Sequence, residues 1–293
     1  MTNNSKVAVI IVNWKKYTIT SKCIESVFKC NYSNYEIILV DNESDDSKLS
    51  TLKRKNITTI SNSKNEGFSK ANNQGIDYAI KNNFDYILML NNDTIVKSNL
   101  IDVLVRTAQA KKISTIQPLI LNHNGQKIWN GGGKINYFFG TFFSSNKASK
   151  SYKTIDWFTG CCCLFETKLF LEIGKLDERF FAYYEDVDLS LRIKKNGYKI
   201  GFTSQTELIH LESASSKLET SNEGSLNPYV HYLNIKNHIL VFRKHIKMFN
   251  PIGFIIFQII KILSYSTYFI LRFRFTKLKM VFNGVRDSLK VQI

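Results

Sequence analysis

The chain has 293 residues, with 40 lysine and arginine residues against 24 aspartate and glutamate residues, a formal net charge of +16. Its length and its 44% hydrophobic residues suit one large domain, or one domain with an appendage, and exclude wholesale disorder. Five cysteines are too few for a disulfide-stapled secreted domain, and the N-terminal residues lack the apolar run of a signal peptide, so we expect a cytoplasmic protein.

The first hundred residues alternate between strand-like and helix-like stretches. The predicted strands are Lys6–Val12, Tyr35–Val40, Ile57–Ile60 and Tyr86–Leu90, and the predicted helices are Thr18–Lys29 and Gly67–Lys81. This alternation predicts βαβ units, and therefore an α/β fold with a mixed, mainly parallel, Rossmann-like sheet flanked by helices. Ligands of such sheets bind beyond the carboxyl ends of the strands, where this chain has Asn13, Asp41 and Asn91–Asp93. These polar residues are the first candidates for a functional site.

The second half of the chain continues the pattern with shorter elements. We predict strands at Ile113–Leu121, Trp157–Phe165 and Tyr198–Phe202, and a helix at Glu185–Asn196. The glycines and aromatic residues of positions 131–143 predict a hairpin or a loop over the sheet, suited to a substrate lid. Consecutive residues of a strand face opposite sides, so Cys161–Cys163 are interpreted as buried small hydrophobic residues and not as a zinc site.

The C-terminal stretch Asn250–Ile293 has a different character. From His238 to the last residue there are ten lysine and arginine residues against one acid, a balance that favours an anionic partner. Polar or amphipathic residues recur every three or four positions of an otherwise apolar segment, at Gln258, Lys261, Tyr265, Tyr268 and Arg272. This narrow polar stripe predicts an amphipathic helix that lies in the plane of a membrane surface. A helix hairpin that closes the core, or a dimer interface, is the alternative.

Seven short motifs follow one another in order and at workable spacings between Lys6 and His245. They are Val9–Trp14, Leu39–Ser44, Asn65–Phe68 with Asn72–Gly75, Leu88–Asp93, Trp157–Gly160, Leu176–Phe181 and Tyr184–Leu189. Together they resemble the family-2 inverting glycosyltransferases of the GT-A fold, in the bacterial rhamnosyltransferase-like branch that makes cell-surface polysaccharides. The resemblance implies a transferase domain at 1–245, with a nucleotide-binding half at 1–95 and an acceptor-side half at 96–245. A basic amphipathic tail at 246–293 would follow it.

The resemblance also implies which residues bind the nucleotide sugar. Asp41 would accept a hydrogen bond from the imide N–H of uracil or thymine, although an Asp at a strand end also closes turns. Lys236 stands where the family commonly has arginine, and its charge would neutralise the departing diphosphate. The remaining donor-binding candidates are Asn13, Asn65, Gly67, Asn73, Asn91 and Asn92.

A divalent cation, Mg²⁺ or Mn²⁺, is the cofactor that the resemblance implies. Asp93 would hold the cation against the diphosphate, because such cations often take only one or two protein oxygens. The family motif is often Asp-x-Asp, whereas this chain has Asn91-Asn92-Asp93 and lacks the first carboxylate. His210 stands where related enzymes often have a histidine near the metal, and imidazole suits Mn²⁺. A histidine buried in the core is the alternative.

Inverting transfer also needs a base that removes the proton of the acceptor hydroxyl. By resemblance Asp186 is this base, Glu185 positions the acceptor and Asp188 supports them. Trp157 and Gly160 belong to the same acceptor side. The alternative is that the three acids only complement the positive end of a helix, where Asp188 can also pair with Arg192 four residues later.

The sequence therefore predicts a metal-assisted inverting glycosyltransferase. Its donor would be a dTDP- or UDP-sugar, with rhamnose favoured by the resemblance, and its acceptor a growing glycan carried by a polyprenyl lipid. The enzyme would lie on the inner face of the cell membrane. The sequence does not decide between a monomer and a homodimer. The alternatives are an inactive scaffold of the same fold and a basic protein that binds membranes or nucleic acid. We expect no nucleic-acid partner, because the basic residues cluster with aliphatic side chains and no nucleic-acid-reading motif is present.

Overall fold

The structure, a computed structural model, describes residues 5–43, 48, 50–52, 54–147, 151–211 and 223–293. Ser44, the last residue of the Leu39–Ser44 motif, lies outside the described residues. The chain divides into two compact units. The first contains the described residues of Met1–Lys134, Ser144–Glu178 and Glu185–Ala214, and the second those of Ile135–Phe143, Arg179–Tyr184 and Ser215–Ile293. The predicted boundary between a transferase domain and a tail at residue 245 stays a prediction.

Strands and helices alternate along most of the described chain. The strands are β1 (Val7–Asn13), β2 (Tyr35–Asp41), β3 (Ile57–Ser61), β4 (Tyr86–Asn91), β5 (Thr94–Val96), β6 (Thr115–Leu121), β7 (Ile128–Asn130), β8 (Gly133–Asn136), β9 (Thr141–Ser144), β10 (Tyr152–Ile155), β11 (Cys162–Glu166) and β12 (Ile200–His210). The helices are α1 (Tyr17–Phe28), α2 (Phe68–Lys81), α3 (Leu100–Lys111), α4 (Thr167–Ile173), α5 (Glu185–Lys195), α6 (Pro228–Lys244), α7 (Pro251–Leu271) and α8 (Phe275–Lys290).

Ten of the strands form one sheet in the first unit. Its order is β10-β12-β6-β11-β4-β1-β2-β3, with β5 paired to β12 and β7 to β6. Strand β1 is parallel to β2 and β4, and β3 is parallel to β2. Strand β11 is antiparallel to both β4 and β6, and β12 is parallel to β6, so β1–β4, β6 and β12 all run in one direction. The mixed, mainly parallel sheet flanked by helices is confirmed.

The apolar strands are buried on both faces because helices cover both sides of the sheet. Val9 and Ile11 of β1 belong to a hydrophobic layer that contains residues of α1 and α3. Ala8 and Ile10 face the other way, into a layer with residues of α2, α4 and α5. Helix α2 approaches β1 closely at Gly75, where a Cβ atom would lie 2.7 Å from Cγ2 of Ile10.

Most predicted strands match the observed bounds within two residues, and two of them differ by more. The stretch Trp157–Cys161 precedes β11, because the backbone N–H groups of Thr159 and Gly160 donate to side chains instead of a neighbouring strand. The strand predicted at Tyr198–Phe202 is longer and begins at Ile200, since β12 continues to His210. The three consecutive cysteines are buried, as predicted.

The second unit contains α6, α7, α8 and most of the β8–β9 hairpin. Ile235, Phe269 and Val281, one from each helix, form its small hydrophobic cluster. The predicted hairpin is confirmed, and Gly253 of α7 packs so closely against it that a Cβ atom would lie 2.3 Å from the carbonyl oxygen of Phe138.

Helix α7 places Gln258 and Lys261 of its polar stripe against protein, whereas Tyr268 and Arg272 are exposed. The side chains of Gln258 and Lys261 lie 2.9 Å and 3.2 Å from Nδ1 of His238, which belongs to α6. Burial holds the pKa of His238 down to about 3, so this imidazole is neutral. Large apolar residues face outward instead, among them Ile252, Ile255, Ile256, Ile259, Ile260, Leu263, Ile270 and Leu271. Among the described residues α7 is the one helix long and apolar enough to cross a membrane.

Candidate active site

A chain of hydrogen bonds joins the ends of three neighbouring strands. The side-chain amide of Asn13 donates to Oδ1 of Asp41, and the two residues pair in register at the ends of β1 and β2. The Thr20 hydroxyl donates to Oδ1 of Asn13 over 2.7 Å and accepts from Nδ2 of Asn92, after β4, over 2.9 Å. The Tyr17 hydroxyl lies 3.4 Å from Oδ2 of Asp41. The structure thus brings three donor-side candidates together through α1.

The loop that leads into α2 is held by a second amide network. Nδ2 of Asn42 donates to Oδ1 of Asn65 over 2.8 Å, and Oδ1 of Asn42 accepts the backbone N–H of Glu66 over 3.0 Å. Oδ1 of Asn65 also accepts the N–H of Gly67, whose φ of 89° favours glycine. Asn65 and Gly67 are therefore fixed by Asn42, which the sequence analysis did not select. Its position directly after Asp41 was the available signal.

Asn73 does not belong to either of these networks. Its side-chain amide donates to the carbonyl oxygen of Leu176 over 2.9 Å and accepts the Leu176 N–H over 3.0 Å. The same Nδ2 donates to Oε1 of Glu178 over 3.0 Å. Asn73 therefore fastens α2 to the Leu176 segment.

Asp93 and His210 meet at the edge of the sheet. Strand β5 pairs with the end of β12, so Thr94 lies opposite His210, and the Leu211 N–H donates to the Asp93 carbonyl oxygen over 2.8 Å. Nε2 of His210 lies 3.2 Å from Oδ1 of Asp93. The Trp129 ring packs edge-on against the imidazole, with 4.6 Å between the ring centroids. These contacts bury both side chains.

Three buried polar atoms at this edge have no aligned hydrogen-bond partner within the described part of the chain, although one of them, Oδ1 of Asp93, lies 3.2 Å from Nε2 of His210. They are Oδ1 of Asn91, Oδ1 of Asp93 and Nδ1 of His210. Buried polar atoms are nearly always paired, so these three suit a ligand that supplies what the protein does not. The described residues contain no group of three or more His, Cys, Asp or Glu side chains arranged for a metal. Carboxylate and amide oxygens are nevertheless ligands that Mg²⁺ and Mn²⁺ accept, and these cations often take only one or two ligands from the protein.

Asp186 is half-buried at the start of α5. Its Oδ2 accepts the backbone N–H of Gly160 over 2.9 Å, and its Oδ1 accepts the N–H of Val187 over 2.8 Å. Burial raises the pKa of the Asp186 carboxyl to about 6, against the opposite effect of these N–H groups. Gly160 also leaves room for the neighbouring acid, since a Cβ atom there would lie 3.3 Å from Oε1 of Glu185.

The two acidic groups lie at the same edge of the sheet. The N–H of Asn91 donates to the carbonyl oxygen of Cys161 over 2.8 Å, which joins the end of β4 to the beginning of β11. Asp93 follows Asn91 by two positions, and Gly160, the partner of Asp186, directly precedes Cys161. Asp93 and Asp186 therefore flank one backbone hydrogen bond, although they lie 93 positions apart in the sequence.

Asp188 and Trp157, two acceptor-side candidates, make contacts that hold neighbouring backbone segments in place. Asp188 is fully buried and accepts Nε of Arg192 over 3.0 Å, the pair predicted four residues apart. Arg192 also donates to the carbonyl oxygens of Ile173 and Lys175, so the pair ties α5 to the segment after α4. Trp157 donates through its indole to the Lys134 carbonyl oxygen over 3.2 Å.

The turn before α5 is strained and belongs to the second unit. Tyr183 and Tyr184 both have φ of 70°, which side-chain-bearing residues rarely adopt. The Asn237 amide donates to the carbonyl oxygens of Ala182 and Tyr183 over 2.8 Å and 2.9 Å. Asn237 thus holds the backbone that leads to Glu185, a role that the sequence analysis missed. The adjacent Lys236, also in the second unit, has Nζ 5.9 Å from the Tyr232 ring, and burial lowers its pKa.

Comparisons with known proteins point to one family. A family model described as "Glycosyltransferase like family 2" matches residues 4–224. The chain is 26% identical over 237 residues to the low-salt glycan biosynthesis hexosyltransferase Agl10 of Haloferax volcanii, covering 80% of this chain and 74% of that protein. It is 32% identical over 76 residues to the N-acetylglucosaminyl-diphospho-decaprenol L-rhamnosyltransferase of Mycobacterium tuberculosis. That shorter match covers 26% of this chain and 25% of the mycobacterial protein.

Solved structures resemble the chain at lower sequence identity. GalNAc-T7 with UDP, GalNAc and Mn²⁺ aligns with a TM-score of 0.67 and 19% identity, covering 83% of this chain and 48% of that one. The mannosyltransferase PcManGT from Pyrobaculum calidifontis, solved with GDP-Man and Mn²⁺, aligns with a TM-score of 0.60 and 12% identity. The alignment with PcManGT covers 100% of this chain and 77% of that one. At these identities the likeness concerns the fold, and the predicted fold is confirmed.

Proposed function

Because the chain belongs to glycosyltransferase family 2, which the match over residues 4–224 establishes, we propose that it transfers a sugar, with inversion, from a nucleoside diphosphate sugar to a glycan. One observation carries this proposal. The half-buried Asp186 carboxylate, held by the Gly160 N–H, lies at the same sheet edge as Asp93 and His210. The transferred sugar would then lie between the general base and the diphosphate site.

Asp186 is proposed as the general base. The acceptor oxygen forms a bond to C1 of the sugar while the bond from C1 to the diphosphate oxygen breaks, and the nucleoside diphosphate leaves with the electron pair. The acceptor hydroxyl proton moves to the Asp186 carboxylate. With a pKa of about 6 this group is ionised at neutral pH, yet it holds a proton more strongly than an ordinary aspartate does. Glu185, at the adjacent position, is proposed to orient the acceptor.

The donor is proposed to bind along the ends of β1, β2 and β4. Asp41 would bind the nucleobase of the donor, because its carboxylate is held by Asn13 and Tyr17 at the end of β2. Lys236 is retained as a proposed partner of the diphosphate. Relatives named as a rhamnosyltransferase and a hexosyltransferase favour a hexose or a deoxyhexose such as rhamnose. A dTDP- or UDP-linked donor is therefore proposed.

Asp93, His210 and Asn91 are proposed to hold a divalent cation. The buried oxygens Oδ1 of Asn91 and Oδ1 of Asp93, with Nε2 of His210 3.2 Å from the latter, form a donor set that suits Mn²⁺ and, through the oxygens, Mg²⁺. When bound, such a cation neutralises the negative charge of the departing diphosphate. Trp129 keeps the imidazole in place by edge-on packing.

The acceptor is proposed to be a glycan on a membrane lipid, with the protein docked on the inner face of the membrane. Helix α7 supports this proposal because its exposed stripe of isoleucine and leucine has no covering element among the described residues. Phe138, Phe139 and Phe143 of the hairpin region are also exposed, and Phe138 contacts α7 at Gly253. The ten lysine and arginine residues between His238 and Ile293 complement anionic lipid.

The test is a transfer assay on the purified full chain with a panel of dTDP- and UDP-sugars and either Mn²⁺ or Mg²⁺. We expect Asp186→Asn to bind the donor like the wild type and to lose transfer by about 10²–10⁴-fold, the usual contribution of a general base. Asp93→Ala should instead weaken metal-dependent donor binding. Asp77→Asn, an exposed carboxylate of α2, is the matched control and should remain active. Wild-type transfer rates in Asp186→Asn would overturn the assignment.

A further inference from the structure

The second unit contains a cavity of 360 Å³ that the proposed reaction does not use. It lies between the segment before α6, the last turns of α7 and the beginning of α8. Its lining combines basic and aromatic side chains, namely His231, Tyr265, Tyr268, Phe269, Arg274 and Lys277. The cavity therefore places positive charge beside apolar aromatic rings.

Arg274 is oriented into this cavity by its neighbours. Its guanidinium donates to the Tyr268 hydroxyl over 3.2 Å and lies 5.5 Å from the centroid of the same ring. Gly224 allows the guanidinium to come close, since a Cβ atom there would lie 3.3 Å from its Nη2. A guanidinium fixed in this way presents its remaining N–H groups as a planar fork, which matches the oxygens of a phosphate.

The cavity carries more positive than negative charge. Lys277 is buried, with its ammonium donating to the carbonyl oxygen of Glu223 over 2.6 Å. Burial and the nearby Arg274 lower the pKa of Lys277, and burial with both cations lowers the pKa of His231. The Glu223 carboxylate offsets one charge, but its oxygens accept the backbone N–H groups of Thr276 and Lys277 at the start of α8. An anion in the cavity would relieve the repulsion between the cations.

The exposed apolar stripe of α7 ends beside this cavity. The stripe runs from Ile252 to Leu271, about 28 Å at the rise of an α-helix. Tyr268 and Phe269 line the cavity from the last turn of the same helix, and Phe273 and Phe275 continue the exposed apolar surface past it. A ligand with a phosphate and a long hydrocarbon chain matches both features at once.

We propose that this cavity binds the phosphate group of a membrane lipid, with the hydrocarbon chain of that lipid lying along the exposed stripe of α7. The proposal rests on the membrane docking under the proposed function and makes it specific. Arg274 receives the phosphate, Lys277 supplies further positive charge, and α7 holds the chain at the bilayer surface. Such a site fixes the orientation of the protein on the membrane more narrowly than a diffuse basic surface does.

The first experiment measures flotation of the full chain with vesicles of pure phosphatidylcholine and with vesicles of equimolar phosphatidylcholine and phosphatidic acid. Arg272→Gln is the matched control, because Arg272 is exposed, lies two positions away and does not line the cavity. Losing a basic residue near an anionic surface weakens vesicle binding about fivefold. We expect Arg274→Gln to weaken vesicle binding about tenfold more than the control does, since this variant also loses a charge-assisted contact with the phosphate. Equal losses in the two variants would overturn the proposal.

The second experiment uses calorimetry with dihexanoyl phosphatidic acid in its monomeric form and with inorganic phosphate. The wild type should bind the short lipid, Arg274→Gln should not, and inorganic phosphate should bind more weakly. Equal affinity for the two ligands would refute the lipid assignment, and no binding of either would refute the site. Short-lipid binding without vesicle binding would support the cavity and overturn membrane docking. Asp186→Asn should behave like the wild type in both experiments, so failure of the transferase proposal is scored separately.

Discussion

Replacing Asp186 by asparagine should change how the stability of the protein depends on pH. The Asp186 carboxyl has an ordinary pKa of 3.8 and a pKa of about 6 in the folded chain, because burial disfavours its charge. Between these two pH values the folded chain therefore binds more protons than the unfolded chain. The free energy of unfolding of the wild type falls as the pH rises through this window and stays lower above it.

The magnitude follows from the difference between the two pKa values. It corresponds to about 3 kcal/mol at neutral pH, an upper value because Asp186 keeps some solvent contact. Asparagine does not titrate, so the variant escapes this cost. Its single side-chain oxygen can accept only one of the N–H groups of Gly160 and Val187, which costs about 1–3 kcal/mol at every pH. The change with pH, and not the sign at one pH, is therefore the prediction.

Urea denaturation of both proteins at several pH values between 4 and 8 measures this difference, in a range set by the pKa of about 6. Relative to the wild type, Asp186→Asn should gain stability by up to about 3 kcal/mol across this range. Asp77→Asn, which removes an exposed carboxylate, should stay parallel to the wild type within about 1 kcal/mol. A difference between Asp186→Asn and the wild type that is flat or shrinks with rising pH would refute the reasoning.

Three further predictions concern activity, packing and thiol reactivity. Below the Asp186 pKa of about 6, kcat/KM should fall about tenfold per pH unit, measured by nucleoside diphosphate release. Gly75→Ala should lower stability by about 1–3 kcal/mol in urea denaturation, because the added Cβ atom would meet Ile10 at 2.7 Å. Burial raises the pKa of the Cys161–Cys163 thiols well above the usual range and that of Cys30 to about 11, but Cys30 is half-buried while the other four cysteines are buried, so a thiol reagent should modify Cys30 first.

The sequence by itself was sufficient for the sheet and the family. Runs such as Val7–Asn13 are apolar at every position because helices cover both faces of the sheet, and this pattern is visible without coordinates. The ordered motifs also identified glycosyltransferase family 2, which the match over residues 4–224 confirms. Strand order brings Asn13, Asp41 and Asn92 together, because parallel strands end at one edge.

Other features depended on contacts between distant residues. Asn42 and Thr20 position the candidate site through hydrogen bonds that no local pattern encodes. Asn73 resembles the donor-side asparagines in sequence, yet its amide is committed to Leu176, 103 positions away. Only the packed chain decides which polar groups a given amide can reach.

Helix α7 shows the same division. Periodicity predicted a polar stripe through Gln258 and Lys261, and the helix was found where it was expected. It did not tell which side of the helix faces protein, because the spacing of residues fixes their angles around the axis and not the neighbours of each face. Gln258 and Lys261 contact Nδ1 of the neutral His238 of α6, so the apolar side of α7 faces outward. That orientation, and with it the cavity at the end of α7, was decided by tertiary structure alone.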